Sequence, residues 1–263
     1  MAARTRRSRL RARRPPPPSR VPLGSASWGC SAGPTSRRLT AKRDLHGLAK
    51  ALTNGDPQVR EQAARALGEL GDPSAVPDIV AALRGKNDEA MADNAATALR
   101  AIGGDTAKAL DQGLRTTGDD TRPVYGALLG RMGEERGLPP LVDASQEGEA
   151  SVRATAALGL GLIRTQGAAD RLVVVFKEDD DLDVRGMACL ALATHKLPGA
   201  YETFAAALQA GEPVDRALGA MGLGMLGDPR AVPVLDGVAN DDDDERVRNA
   251  AHKALAELPA ARV

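Results

Sequence analysis

The chain has 263 residues with 28 glycines and only 2% aromatics, too few large side chains for an ordinary globular core of this size. Two distant cysteines, Cys30 and Cys189, exclude a disulfide scaffold, and no apolar run approaches the roughly 18 residues of a membrane span. The formal net charge of zero is misleading: residues 1–43 hold 12 of the 35 basic residues and no acid, which leaves a body of 23 basic and 35 acidic residues to which a polyanion such as DNA is poorly suited.

Residues 1–41 are expected to be a disordered, basic and Pro-rich tail. RTRRSRLRARRPPPPSR has no apolar stripe, and SASWGCSAGPTS is small and polar. Three roles compete with a dispensable tail: a basic interaction arm, an organelle-targeting leader and a lipidated Cys30. The last fails because no apolar segment precedes Cys30. The expected compartment is the cytoplasm, with the leader as the route to an organelle.

From Asp44 a repeat sets in. Leu48, Ile79, Leu110, Leu141, Leu172, Phe204 and Leu235 recur at intervals of 31 or 32 residues. Four places on stand Leu52, Leu83, Leu114, Ser145, Phe176, Leu208 and Ala239. Positions i and i+4 share one helix face, so this is the buried stripe of the second helix of each unit.

A parallel series marks the first helix. Arg60, Arg122, Arg153, Arg185, Arg216 and Arg248 keep one phase, with Met91 at the missing place. Small residues follow (Ala63-Ala64, Ala95-Ala96, Ala156-Ala157, Ala188-Cys189, Gly219-Ala220), then leucine anchors such as Leu67, Leu99, Leu129, Leu160 and Leu223. Small residues allow close helix approach and the leucines fill the gaps between layers.

Punctuation agrees with the period. Asp56-Pro57, Asp72-Pro73 and Asp228-Pro229 read as helix starts, and Gly71, Gly103, Gly133 and Gly227 as helix ends. The expected solenoid covers residues 42–259. It comprises a partial unit at 42–52, units near 56–84, 87–115, 118–146, 149–178, 181–209 and 212–239, and a half unit at 243–259. Residues 260–263 are a short C-terminal tail. Neither end shows an evident polar cap, so self-association through the ends is one expectation.

The phrase DPxVRxxAAxALGxLGDPxAVPxLxxAL, carried by Asp56, Pro57, Val59, Arg60, Ala63, Ala64, Leu67, Gly68, Leu70 to Pro73 and Val76-Pro77, resembles the HEAT-like repeats of the phycobilin-lyase type. Gly224, Leu226 to Pro229 and Ala231 to Pro233 resemble it again. The resemblance implies an all-α, right-handed α-α superhelix of about six full repeats of 31–32 residues plus partial end units. It also implies that first helices line the outer face and second helices the inner, binding face. It assigns no catalytic residue.

The arginine ladder reads as structural, each guanidinium donating to a neighbouring helix end or carboxylate. Acidic runs precede first helices, including Asp179, Asp180, Asp181 and Asp183, and Asp241, Asp242, Asp243 and Asp244. Helix capping uses one or two acids per loop, and the remainder form a candidate edge for a basic partner. Neither run has calcium-loop spacing, and no metal ligand set or cofactor is expected. The isolated histidines lack the His-Glu pairs of a HEAT-like deoxyhypusine hydroxylase. Cys189 sits in an alanine slot, and Tyr125 departs from another.

The expected function is a non-catalytic scaffold holding another protein, with Tyr125 and the two acidic runs as candidate contacts. The alternative is a bilin lyase or lyase-like chaperone, in which Arg84, Arg115 or Arg171 holds the propionates.

Overall fold

The Asp-Pro starts and glycine stops divide the chain into short helices too small to be stable alone, so each depends on its neighbours. A computed structural model describes residues 34–86, 88–118 and 121–258, and no strand occurs among them. Helices α1 (Pro34–Ala41) and α2 (Leu45–Ala51) lead. Six antiparallel pairs follow: α3 (Pro57–Leu70) with α4 (Val76–Leu83), α5 (Glu89–Ile102) with α6 (Thr106–Thr116), α7 (Arg122–Arg131) with α8 (Glu134–Ala144), α9 (Ala150–Ile163) with α10 (Gln166–Glu178), α11 (Leu182–Thr194) with α12 (Ala200–Ala207), and α13 (Pro213–Leu226) with α14 (Val232–Asp241). Helix α15 (Glu245–Glu257) closes the array. The architecture is a helix-pair repeat solenoid.

Capping fixes the phase. Asp56 accepts from the amide of Gln58, Asp88 from Met91, and Asp181 from both Asp183 and Val184. Asp72 and Asp228 each open one 3-10 turn, Pro73–Ala75 and Pro229–Ala231, that runs on into the second helix. Gly71 and Gly227 end α3 and α13 with left-handed backbone.

The core follows the predicted stripe. Leu48, Ile79, Leu110, Leu141, Leu172, Phe204 and Leu235 are all fully buried, and so is the first-helix row Leu67, Leu99, Leu129, Leu160, Leu192 and Leu223. Phe176 and Phe204 meet edge to face with ring centres 5.5 Å apart.

The two layers differ in spacing. At most steps consecutive first helices lie close together while consecutive second helices touch sparsely; from α5 and α6 to α7 and α8 the two layers touch equally. The cause is glycine and alanine at the first-helix contacts. A Cβ on Gly68 would lie 2.4 Å from Ala101 Cβ, one on Gly130 2.3 Å from Gly159 O, and one on Gly224 2.7 Å from Ala254 Cα. In a curved stack the closely spaced layer takes the inside of the bend. The first helices therefore form the inner layer, a correction to the expectation that the second helices do.

Both ends also depart from expectation. The tail was expected to extend to residue 41, but its last eight residues form α1, which packs on α2 and α3 with Leu39 against the core. Residues 1–33 and 259–263, with Cys30 and the C-terminal tail, lie outside the described residues. At the other end α15 buries Val247, Ala251 and Ala254 against α13 and α14 and turns Arg246, Asn249, His252, Lys253 and Glu257 to solvent. Among the described residues the exposed face of α15 is thus polar, which the repeat pattern concealed.

Candidate functional site

The ladder arginines point into the loops between units. Arg60 donates to the carbonyls of Asn54 and Gly55, Arg122 to those of Leu114 and Thr117, and Arg248 to those of Asp242 and Asp243. Arg185 donates to Phe176 O and pairs with Asp215. Carbonyls left over at helix ends thus find donors.

Arg153 and Arg216 add a carboxylate. Arg153 meets Asp179 through Nε and NH2 at 2.8 and 2.9 Å, and Arg216 meets Asp242 at 2.7 and 2.9 Å. These forked bonds hold both aspartates below the usual carboxylate range. Two residues on, Asp181 and Asp244 cap α11 and α15. Each acidic run thus spends its members alternately. Asp180, Asp241 and Asp243 remain exposed and form no ion pair among the described residues.

The other candidates scatter. Tyr125 is 9% exposed, with its ring over Gly113, so it offers a partner little surface. Arg115 pairs with Asp111 at 2.9 Å, and Arg171 donates to the hydroxyl and carbonyl of Ser145 at 2.7 and 3.0 Å. Arg84 is exposed at the end of α4. Arg171 lines a cavity with Ser145, Arg153 and Asp179, and neither Arg84 nor Arg115 is among the residues lining it. Cys189 is fully buried, which pushes its thiol up to about 12. His195 Nδ1 lies 3.4 Å from Arg164, and burial, then the charges of Arg164 and Arg131, lower its pKa. Among the described residues no three metal-ligating side chains converge, and no helix is long and apolar enough to cross a membrane.

A different feature emerges on the inner layer. Five places after five of the six ladder arginines stands a side chain turned to solvent; after Arg122 the place is held by the half-buried Ala127 of α7. In α3 it is Arg65 and in α15 Lys253; in α5, which has no ladder arginine and whose small residues and leucine fall one residue late, Thr97 holds the place. In α9, α11 and α13 it is Leu158, Leu190 and Met221, with 37%, 36% and 39% exposure. Leu182 and Val214 extend the patch toward the starts of α11 and α13. None of Leu158, Leu190 and Met221 stood out in the sequence, because they fall outside the two repeating series that mark the core. The signal available was the change at one register position from charged to apolar and back.

A model of HEAT repeats matches residues 45–128, 119–193 and 172–256. No curated protein sequence is detectably similar to the chain. Among solved structures, human deoxyhypusine hydroxylase in complex with glycerol is 20% identical over 86% of this chain and 99% of that one, with a TM-score of 0.34. Kap121p is 13% identical over 84% of this chain and 31% of its own, with a TM-score of 0.44. The complex of CpcE and CpcF of phycocyanin lyase from Nostoc sp. PCC7120 is 23% identical over 70% and 99%, with a TM-score of 0.28. At these values none of the three assigns a chemistry to this chain.

Proposed function

This chain belongs to the HEAT-repeat family, and from that premise we propose that it is a non-catalytic adaptor that holds another protein against its inner, first-helix layer. The observation that carries this reading is the register Leu158, Leu190, Met221. The position has the same place in the repeat in each of these helices, and α3 and α15 fill it with arginine and lysine. The fold therefore does not require an apolar side chain there. Large apolar groups aligned on three neighbouring helices mark a contact surface.

The test is a Leu158→Glu, Leu190→Glu, Met221→Glu triple variant of the full chain. Its helicity and unfolding midpoint should stay close to wild type, because the positions are exposed. Proteins recovered with the wild-type chain from its native cell should fall at least tenfold. An unchanged set of recovered proteins removes the reading.

The lyase branch is a second reading, supported only by the repeat consensus over Asp56 to Leu83 and again over Gly224 to Pro233. Titration with a linear tetrapyrrole tests it: a shift in visible absorption that depends on Arg84, Arg115 or Arg171 supports it, and an unchanged spectrum counts against it.

A further inference from the structure

The apolar patch lies between two edges of opposite charge. At the helix starts stand Asp180, Asp183 and Glu212, all exposed and in no ion pair among the described residues. At the helix ends stand Arg164 and Lys196. The latter two are unusual. Eleven places after the ladder arginine the repeat carries a glycine, at Gly71, Gly133 and Gly227, with φ of 60°, 85° and 70°. Arg164 and Lys196 occupy that place with φ of 59° and 49°, a backbone conformation that side chains with a Cβ rarely adopt. A cation suits a helix C-terminus, but α3 and α13 end there without one. The strained substitutions fall on α9 and α11, two of the three helices that carry the patch.

A second oddity sits inside the patch. The glycines at the contacts between first helices meet neighbouring atoms that leave no room for a Cβ. Gly186, in the fifth position of α11 between Leu182 and Leu190, has nothing within 4 Å of its ideal Cβ. Internal packing gives no reason for a helix-weakening residue there. It leaves a notch over bare backbone at the centre of the patch.

Resting on the adaptor reading, we propose that the occupant is an amphipathic helix of another protein, lying across α9, α11 and α13. Its apolar anchors follow one another at seven-residue spacing, one flank is basic and the other acidic. Neighbouring helices pack about 8–10 Å apart, and seven residues of α-helix rise about 10.5 Å. Successive anchors therefore meet Leu158, Leu190 and Met221 in turn, and the notch at Gly186 admits the middle of the helix. The basic flank faces Asp180, Asp183 and Glu212, and the acidic flank faces Arg164 and Lys196.

The test uses the full chain and three synthetic helical peptides of about 21 residues with leucine anchors every seven. Their flanks are Lys on one side and Glu on the other, Lys on both, or Glu on both. Binding is read by fluorescence anisotropy at low and high salt. The mixed-flank peptide should bind at least tenfold more tightly than either uniform one at low salt, and the gap should narrow at high salt. Gly186→Leu and Leu190→Glu should each weaken it at least tenfold. Arg164→Glu with Lys196→Glu should move the preference to the all-Lys peptide, which a merely destabilised fold cannot do. Equal binding of the three peptides, or an unmoved preference in the charge variant, overturns the proposal. So does a second copy of the chain that fills the patch, seen as a dimer by sedimentation and abolished by Leu190→Glu. If the glutamate triple variant loses its recovered proteins while no peptide binds, the helical occupant is wrong and the adaptor stands. If that variant keeps them, the adaptor reading itself has failed.

Discussion

Arg153 and Asp179 face each other with two parallel hydrogen bonds of 2.8 and 2.9 Å, tying α9 to the loop that introduces α11. Asp179 is nearly buried in this pairing and Arg153 mostly so. Breaking it leaves one charge with little water to replace its partner. Arg153→Ala or Asp179→Ala should cost about 2–3 kcal/mol of stability, measured by urea unfolding. The double variant should cost distinctly less than the two singles added. Strict additivity in the cycle would show that the pair is not coupled.

The same geometry sets a pH dependence. Arg153 and Arg216 hold the folded-state pKa of Asp179 and Asp242 below the ordinary 3.8. A depressed folded value gives stability that is complete above the unfolded pKa and is lost as pH falls through the folded one. Wild type should therefore be more stable than Asp179→Asn with Asp242→Asn at neutral pH. The gap should begin to close near pH 4 and keep closing as the solution is made more acid. A gap constant from pH 7 to pH 2 contradicts the assignment.

Identical substitutions at two glycines should have opposite signs. At Gly130 a Cβ would lie 2.3 Å from a backbone oxygen of α9, so Gly130→Ala should destabilise by about 1–3 kcal/mol or more. At Gly186 the space is open and the backbone is helical, so Gly186→Ala should stabilise by up to about 1 kcal/mol. Paired denaturation curves decide it. A loss at Gly186 would mean that α11 packs more tightly than described.

These contrasts show what was readable in the sequence. The period, the helix pairs and the buried stripe could be read because Leu48 through Leu235 repeat one physical requirement seven times. The inner layer could not, because curvature depends on the spacing of helix axes, and that depends on which glycines meet which carbonyls across units. Tyr125 was singled out because it departs from an alanine slot, yet Gly113 opposite makes room for its ring. Arg153 and Asp179 were both singled out but not joined, since an arginine and an acid 26 residues apart carry no local signal. Leu158, Leu190 and Met221 did not stand out in the sequence, and only their exposure separates them from the core leucines beside them.

Cys189 provides a last measurement, on the tight side of the same layer. Its thiol fills an alanine slot in α11, with Sγ 3.7 Å from Leu218 O, and burial pushes its pKa up to about 12. At pH 8 only about one thiol in ten thousand is then ionised, and the thiolate is the reactive form. In a Cys30→Ser background, which leaves a single thiol, the native chain should resist iodoacetamide for hours. Labelling should track unfolding as urea is added. Cys189→Ala should change stability by no more than about 1 kcal/mol, because alanine is the residue this slot holds in other units. Rapid labelling of the folded chain at pH 8 would place the thiol at a reactive surface and contradict the packing of α11 against α13.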